Sequence, residues 1–218
     1  MIVAELQKAG LECHGVDLSP EMIRQARLRR SLTLVQADAK ALPFRERAYR
    51  TIICATGVVD FMCDEAGIRE IINEARRVAD HMGVILVAFY KIGGGTERFL
   101  RQLGLLKNNV LRFREALRIY RLNPMQAVAW VAERAGVGFV RATCLLLGSM
   151  ACCTLQDKRN AFHMRRICAD PRDAESLIRS APEQVAYRTE ADIRKLFAEL
   201  VIPIRQLEAF GSCFIVQI

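Results

Sequence analysis

In the first 92 residues, short apolar runs alternate with amphipathic stretches of helical spacing, and this rhythm narrows the possible folds more than any other feature of the chain. "IVAELQKAG" (2–10) places Ile2, Val3, Leu6 and Ala9 on one helix face and ends in Gly10, a natural C-terminal stop. "LECHGVDL" (11–18) reads as a short strand. "SPEMIRQAR" (19–27) reads as a helix start, with Ser19 at the N-cap, Pro20 at the first helical position and Glu21 at the positive end of the dipole. "LTLVQAD" (32–38) is a second strand ending in an aspartate. "YRTIICATG" (49–57) is a third, whose continuous apolar run predicts burial on both faces. "AGIREIINEARRVAD" (66–80) is an amphipathic helix, and "GVILVAFY" (83–90) is a fourth buried strand.

Beyond "KIGGGTERF" the rhythm changes. Residues 93–185 read mostly as helices, among them "ERFLRQLGLL", "NVLRFREALRIYRL" and "PMQAVAWVAERAG", and they are too many for a connecting loop. The α/β pattern returns with "TEADIRKLFAEL" (189–200), where Thr189 and Asp192 take capping-box positions, and closes with "VIPIRQLEAF" and "GSCFIVQI", two strands joined at Gly211. The expected fold class is α/β: a doubly wound, mostly parallel sheet with right-handed crossovers, an antiparallel C-terminal hairpin and a helical insert. The domain reading is 1–92 with 186–218 for the sheet domain, and 93–185 for an insert that covers it.

Composition removes several function classes. A chain of 218 residues with 52% hydrophobic and 26% charged residues is globular. A net charge of +8 admits a nucleic-acid or anionic partner, but no RNA-binding aromatic motif, helix-turn-helix pattern or lysine-rich tail accompanies it, so no nucleic-acid partner is expected. The eight cysteines include no C-x-x-C pair, which leaves little support for zinc, and most lie among apolar neighbours as small hydrophobes; thiols in that number fit a reducing cytoplasm. The most apolar run, 142–155, is too short to span a bilayer, and the N-terminus has no basic-then-apolar pattern. Neither stable membrane insertion nor a signal peptide is expected, and a homodimer stays open.

Four stretches, in order, then carry a likeness: "GVDLSPEMIRQAR", "VQADAKALPFRERAYRTIICATGVVDFM", "EARRVADHMGVILVAFY", and "YRTEADIRKLFAEL" with "FGSCFIVQI". Together they cover about half the chain and resemble the class I S-adenosylmethionine-dependent methyltransferases, of the small-molecule type related to quinone-pathway enzymes, with a Rossmann-like fold. The resemblance implies S-adenosyl-L-methionine as cofactor. Asp17 would accept hydrogen bonds from the ribose hydroxyls; on its residues alone it could equally cap the turn at Ser19. Asp38 would bond the adenine amino group with the Ala39 backbone beside it, and Leu18 and Met22 would pack on the adenine. Thr56 and Gly57 would line the methyl-donor end. The family's acidic residue after the aromatic that opens the fourth strand is Arg50 here, and its "KPGG" turn is "DHMG", with Gly83 keeping the glycine.

The resemblance also implies that the first strand and its glycine-rich loop are missing, because "IVAELQKAG" resembles the helix that directly follows that loop. That strand would lie between the strands of Cys13 to Leu18 and Thr51 to Ala55, and the loop would hold the methionine carboxylate. A five-residue central strand pairs on both sides, so its loss orphans roughly ten backbone groups at about 1–3 kcal/mol each when buried. A domain has only about 5–15 kcal/mol of net stability. The expectation is therefore an N-terminally truncated version of a longer protein, weak or inactive alone; failing that, the neighbouring strands close up or recruit another chain.

Methyl transfer from a sulfonium needs mainly alignment, and a base only for a poorly acidic acceptor. Asp60 in "GVVDFM" and His163 in "NAFHMRRI" are the candidate catalytic residues, with His14, His81 and Tyr90 behind them. Apolar residues of the insert around Trp130, Phe139, Leu145 to Leu147 and Met150, with Arg165 and Arg166 nearby, suit a small, partly apolar acceptor bearing a phenol or carboxylate. Two other classes stay in play. A nicotinamide dehydrogenase would also place a ribose on Asp17, although no Tyr-x-x-x-Lys pair follows; a cofactor-less relative would act as a binding module.

Overall fold

Strand pairing divides the molecule. The computed structural model describes residues 2–29, 33–55, 57–61, 64–91, 94–151, 175, 179, 183–210 and 213–218. The sheet domain opens with helix α1 (Ile2–Lys8), strand β1 (Gly15–Asp17), helix α2 (Pro20–Arg29), strands β2 (Leu34–Gln36) and β3 (Tyr49–Cys54), helix α3 (Glu65–Val78) and strand β4 (Ala79–Tyr90). The insert holds α4 (Gly94–Gln102), β5 (Leu106–Lys107), β6 (Val110–Leu111), α5 (Phe113–Leu117), α6 (Pro124–Ala135), α7 (Phe139–Ala151) and β7 (Val185–Ala186). Helix α8 (Glu190–Glu199) and the hairpin β8 (Gln206–Phe210) and β9 (Cys213–Gln217) close the chain.

β1 and β2 form a two-stranded parallel sheet, with Asp17 opposite Gln36. A separate four-stranded sheet runs β3-β4-β9-β8, parallel between β3 and β4 and antiparallel thereafter. The mixed α/β architecture is as expected, and so is the place where it breaks. β1 and β3 do not pair, and each has one strand neighbour among the described residues. The expected burial of β3 on both faces is therefore corrected: Thr51 is exposed and Ile53 is 40% exposed. An apolar run alone cannot tell a strand flanked on both sides from one that borders a gap.

The helix termini follow the local signals. Gly10 takes φ +79°, and Leu11 N–H donates to the Leu6 carbonyl, ending α1 in the Schellman manner. The Ser19 hydroxyl accepts from Met22 N–H at 3.3 Å, and Thr189 and Asp192 form a reciprocal capping box at α8. α1 lies against β1, because a Cβ placed on Gly15 would come within 2.8 Å of Val3 Cγ2.

Ile68, Ile71, Ile72, Ala75 and Val78 make the buried face of α3 and pack with Ile85, Val87 and Phe89 of β4, Ile193, Leu196 and Phe197 of α8, and Phe214 and Val216 of β9. The Phe89 and Phe197 rings meet edge to face with centroids 6.1 Å apart. A second apolar cluster lies in the insert, around Leu103, Leu105, Leu106, Leu111, Val128, Val131, Ala142 and Val185. Besides the expected helices the insert holds a small antiparallel sheet, β5-β6-β7. Two-residue strands have no periodicity to read, which is why this sheet was not foreseen. Of the cysteines, Cys54 is buried as expected, Cys13 and Cys213 are half-buried, and Cys144 is exposed. No described helix is long and apolar enough to cross a membrane.

The "DHMG" stretch is an irregularity within β4 rather than a turn before it, since Tyr49 pairs with Ala79 and Thr51 already with Val84. A Cβ on Gly83 would sit 2.8 Å from the Asp80 carbonyl oxygen and 3.2 Å from that of Arg50, both main-chain atoms. Gly83→Ala should accordingly cost about 1–3 kcal/mol through overpacking, read as a lower urea midpoint at unchanged slope. An unchanged midpoint would show that this backbone is not closely packed.

Candidate functional site

Of the residues expected to bind a cofactor, those that are described lie near the carboxyl ends of β1, β2 and β3. Asp17 ends β1, exposed, and its Oδ1 accepts from Ser19 N–H at 2.8 Å. The turn-capping role is thus realised in the structure, and it occupies one carboxylate oxygen. Leu18 and Met22, 64% and 51% exposed, stand beside it as uncovered apolar side chains. Their spacing across the start of α2 places both near the Asp17 end of the strand.

Asp38 lies two residues beyond β2, also exposed, and its Oδ1 accepts from Lys40 N–H at 2.9 Å. Ala37 N–H donates to the Asp17 carbonyl at 3.2 Å, which draws the two strand ends together. Ala39 packs against the sheet-domain core, and the following segment is pinned to α3: Arg77 donates to the Leu42 and Phe44 carbonyls, and Glu74 accepts from Leu42 N–H. The Arg77 guanidinium holds the Glu74 carboxyl below its usual range. Thr56 and His163 lie outside the described residues, as do Arg165 and Arg166. Gly57 follows β3 with φ +94°, a conformation that favours glycine, next to the far end of the Phe61 ring.

Asp60, a candidate base in the sequence, is buried. A general base must reach an acceptor, but this side chain is 0% exposed. Its Oδ2 accepts from Gly57 N–H at 3.1 Å and its Oδ1 from Tyr90 N–H at 3.1 Å. The Arg188 Nη1 stands 3.9 Å from Oδ1, and that guanidinium lies over the Phe89 ring. Asp60 therefore holds main chain together and offers no carboxylate to the crevice. Arg188 was not picked out in the sequence, and nothing could have signalled it, because its contact spans 128 positions of chain. Among the other base candidates, His14 Nδ1 bonds the Tyr49 hydroxyl at 2.9 Å, and His81 is exposed beside Asp80.

Comparison with known proteins fits this geometry. The methyltransferase-domain family model matches residues 1–83. Over that stretch, less than half of the chain, the sequence is similar to a methyltransferase domain. Among solved structures, a protein of Pyrococcus horikoshii OT3 superimposes with a TM-score of 0.53 at 14% identity, over 99% of this chain and 74% of the other. A SAM-dependent methyltransferase of Methanosarcina mazei gives 0.55 at 11% identity, over 98% and 84%. A Rhodobacter sphaeroides protein provisionally described as a zinc-dependent alcohol dehydrogenase gives 0.54 at 11%, over 99% and 78%. Identities this low speak for the fold alone. No curated protein matches the sequence.

Burial pushes the Asp60 carboxyl up from 3.8 to about 6, against the Gly57 and Tyr90 N–H groups and Arg188, which favour its charge. Cys213 also faces it, with its thiol raised by burial and by the Asp60 charge. The folded chain thus keeps the Asp60 proton to a higher pH than the unfolded chain does. The stabilisation is full below the unfolded value and is lost as pH rises through the folded one. Relative to Asp60→Asn, the wild type should lose on the order of 3 kcal/mol of unfolding free energy between about pH 4 and pH 6. Parallel urea titrations of both proteins measure this, and a difference that stays level or climbs with pH contradicts it.

Proposed function

We propose that the domain binds S-adenosyl-L-methionine along the ends of β1 and β2 and transfers its methyl group to a small, partly apolar acceptor at oxygen, nitrogen or carbon. The observation that carries this reading is the grouping of Asp17 with the uncovered Leu18 and Met22, beside Asp38. A carboxylate with one oxygen already committed to Ser19 keeps a second for ribose hydroxyls, and two exposed apolar side chains offer a face for a purine. The Ala39 backbone would border the adenine, and Gly57, with Thr56 before it, would border the sulfonium end. The cofactor would supply an electrophilic methyl group; the chain's own residues bind, orient and exclude water. In this reading Asp60 shapes the loop instead of accepting a proton, and His163 stays the candidate base on the insert.

The finer part of the proposal concerns the break between β1 and β3. β2 occupies one edge of β1, and α1 lies over its face. A parallel strand leading into α1 by a right-handed crossover would therefore take the other edge, the one toward β3. A strand at that edge, followed by a loop for the methionine carboxylate, would complete the donor site. Without it, the chain holds the adenosine half of the donor better than the methionine half. The same break favours a second reading, a cofactor-less binding module.

Calorimetry separates these readings. The 218-residue chain should bind S-adenosylmethionine weakly, and a version extended upstream should bind at least tenfold tighter. Asp17→Ala in the extended protein should weaken binding about ten- to hundredfold, the loss of hydrogen bonds to a charged group of about 1.5–3 kcal/mol. Heat with a nicotinamide dinucleotide and none with S-adenosylmethionine would favour the dehydrogenase, and silence with both, the binding module.

A further inference from the structure

We propose that Asp60 is a positioning residue through which the seating of the insert sets the loop that bears Gly57. The inference rests on the preceding reading only in taking that loop as one wall of the donor site. Asp60 is the buried polar or charged side chain of the described residues, and three segments converge on it. Its carboxylate receives Gly57 N–H from its own loop and Tyr90 N–H from the end of β4. Its carbonyl receives Ala186 N–H at 2.7 Å from β7, the strand by which the chain leaves the insert.

The stretch around β7 is shared between the two parts of the molecule. Ala186 and Arg188 donate to the Asp60 and Tyr90 carbonyls of the sheet domain, whereas Tyr187, between them, donates to the Asn109 carbonyl of the insert at 2.8 Å. Alternate residues of an extended strand point their N–H groups to opposite edges, so this stretch is hydrogen-bonded on both. On its insert side Val185 pairs with Leu111 and Ala186 with Val110. Side chains reinforce the junction: the Tyr90 and Tyr187 rings stand 5.8 Å apart, and Phe61, under Gly57, faces Phe113 of α5 at 6.3 Å. A shift of β7 thus pulls on the Asp60 main chain, and the Asp60 carboxylate passes the shift to Gly57.

The test is amide hydrogen exchange on the full chain without any cofactor, so its outcome is independent of whether S-adenosylmethionine binds. Leu111→Ala loosens the insert from a buried position remote in sequence from Gly57. It should speed exchange at Ala186, Tyr90 and Gly57 by tenfold or more, while Ile72 and Val87 in the sheet-domain core stay at wild-type rates. Asp60→Asn should raise Gly57 exchange by itself, since an amide cannot accept from both N–H groups, and adding Leu111→Ala should then raise Gly57 exchange no further. Leu111→Val gives the same comparison at milder strain. Unchanged Gly57 exchange in the Leu111 variants, additive effects in the double variant, or an equal rise at Ile72 and Val87 would each overturn the proposal.

Discussion

Parallel strands can be neighbours in one sheet only if their N–H and C=O groups meet across the shared edge, and β1 and β3 do not meet. Much else in the molecule follows from that constraint. The site residues stand on two strand systems, Asp17 and Asp38 on one and Gly57 on the other, held in register by side chains and loops instead of a hydrogen-bonded ladder. At the amino end the link is the Tyr49 hydroxyl on His14, with the Phe44 and Tyr49 rings 5.1 Å apart. Farther along, the segment after β2 is tied to α3 by Arg77 and Glu74. Half-buried polar contacts of this kind contribute about 0.5–1.5 kcal/mol each, less than a central strand paired on both sides would. Among the described residues, the ends of β1 and β3 are therefore joined by side chains and loops and not by backbone pairing.

The opposite holds around Asp60. A buried carboxylate is costly unless hydrogen bonds offset its desolvation, and here the offset comes from main-chain donors on two segments and from Arg188. A raised carboxyl value is the residue of that contest: burial wins over the hydrogen bonds, but not by enough to keep the group neutral at pH 7. Removing either backbone donor would take a hydrogen bond from a charged oxygen in a buried site. The loop that carries Gly57, the end of β4 and the exit from the insert are thereby obliged to keep one geometry.

What could be read in advance follows the range of each interaction. Local signals told true: Ser19 and Thr189 cap their helices, Gly10 ends α1, and the alternation of short strands and helices gives the mixed sheet. The break between β1 and β3 was legible only through the resemblance, which implies a further strand between them. Asp60 stood out for its place after a buried strand, but its enclosure could not be read there. Its burial depends on Tyr90 and Ala186, 30 and 126 positions away, and no local pattern encodes such contacts. The small sheet of the insert was invisible for a different reason, since its strands are shorter than the period that would reveal them.

Fold likeness alone leaves the chemistry open, as the spread of names among structures of similar score illustrates. The local arrangement discriminates further. An aspartate at the tip of β1 suits a ribose in either class of nucleotide enzyme, but a nicotinamide site also needs a proton donor beside the hydride carrier. Of the groups near the Gly57 loop, the Asp60 side chain is buried, and the Tyr90 ring packs against Tyr187. Methyl transfer asks less of the protein, because the leaving group is already charged and the work left is alignment. In the proposed reading the Gly57 loop borders the donor, and the buried Asp60 carboxylate behind it holds that loop in place, which suits a reaction that depends on alignment.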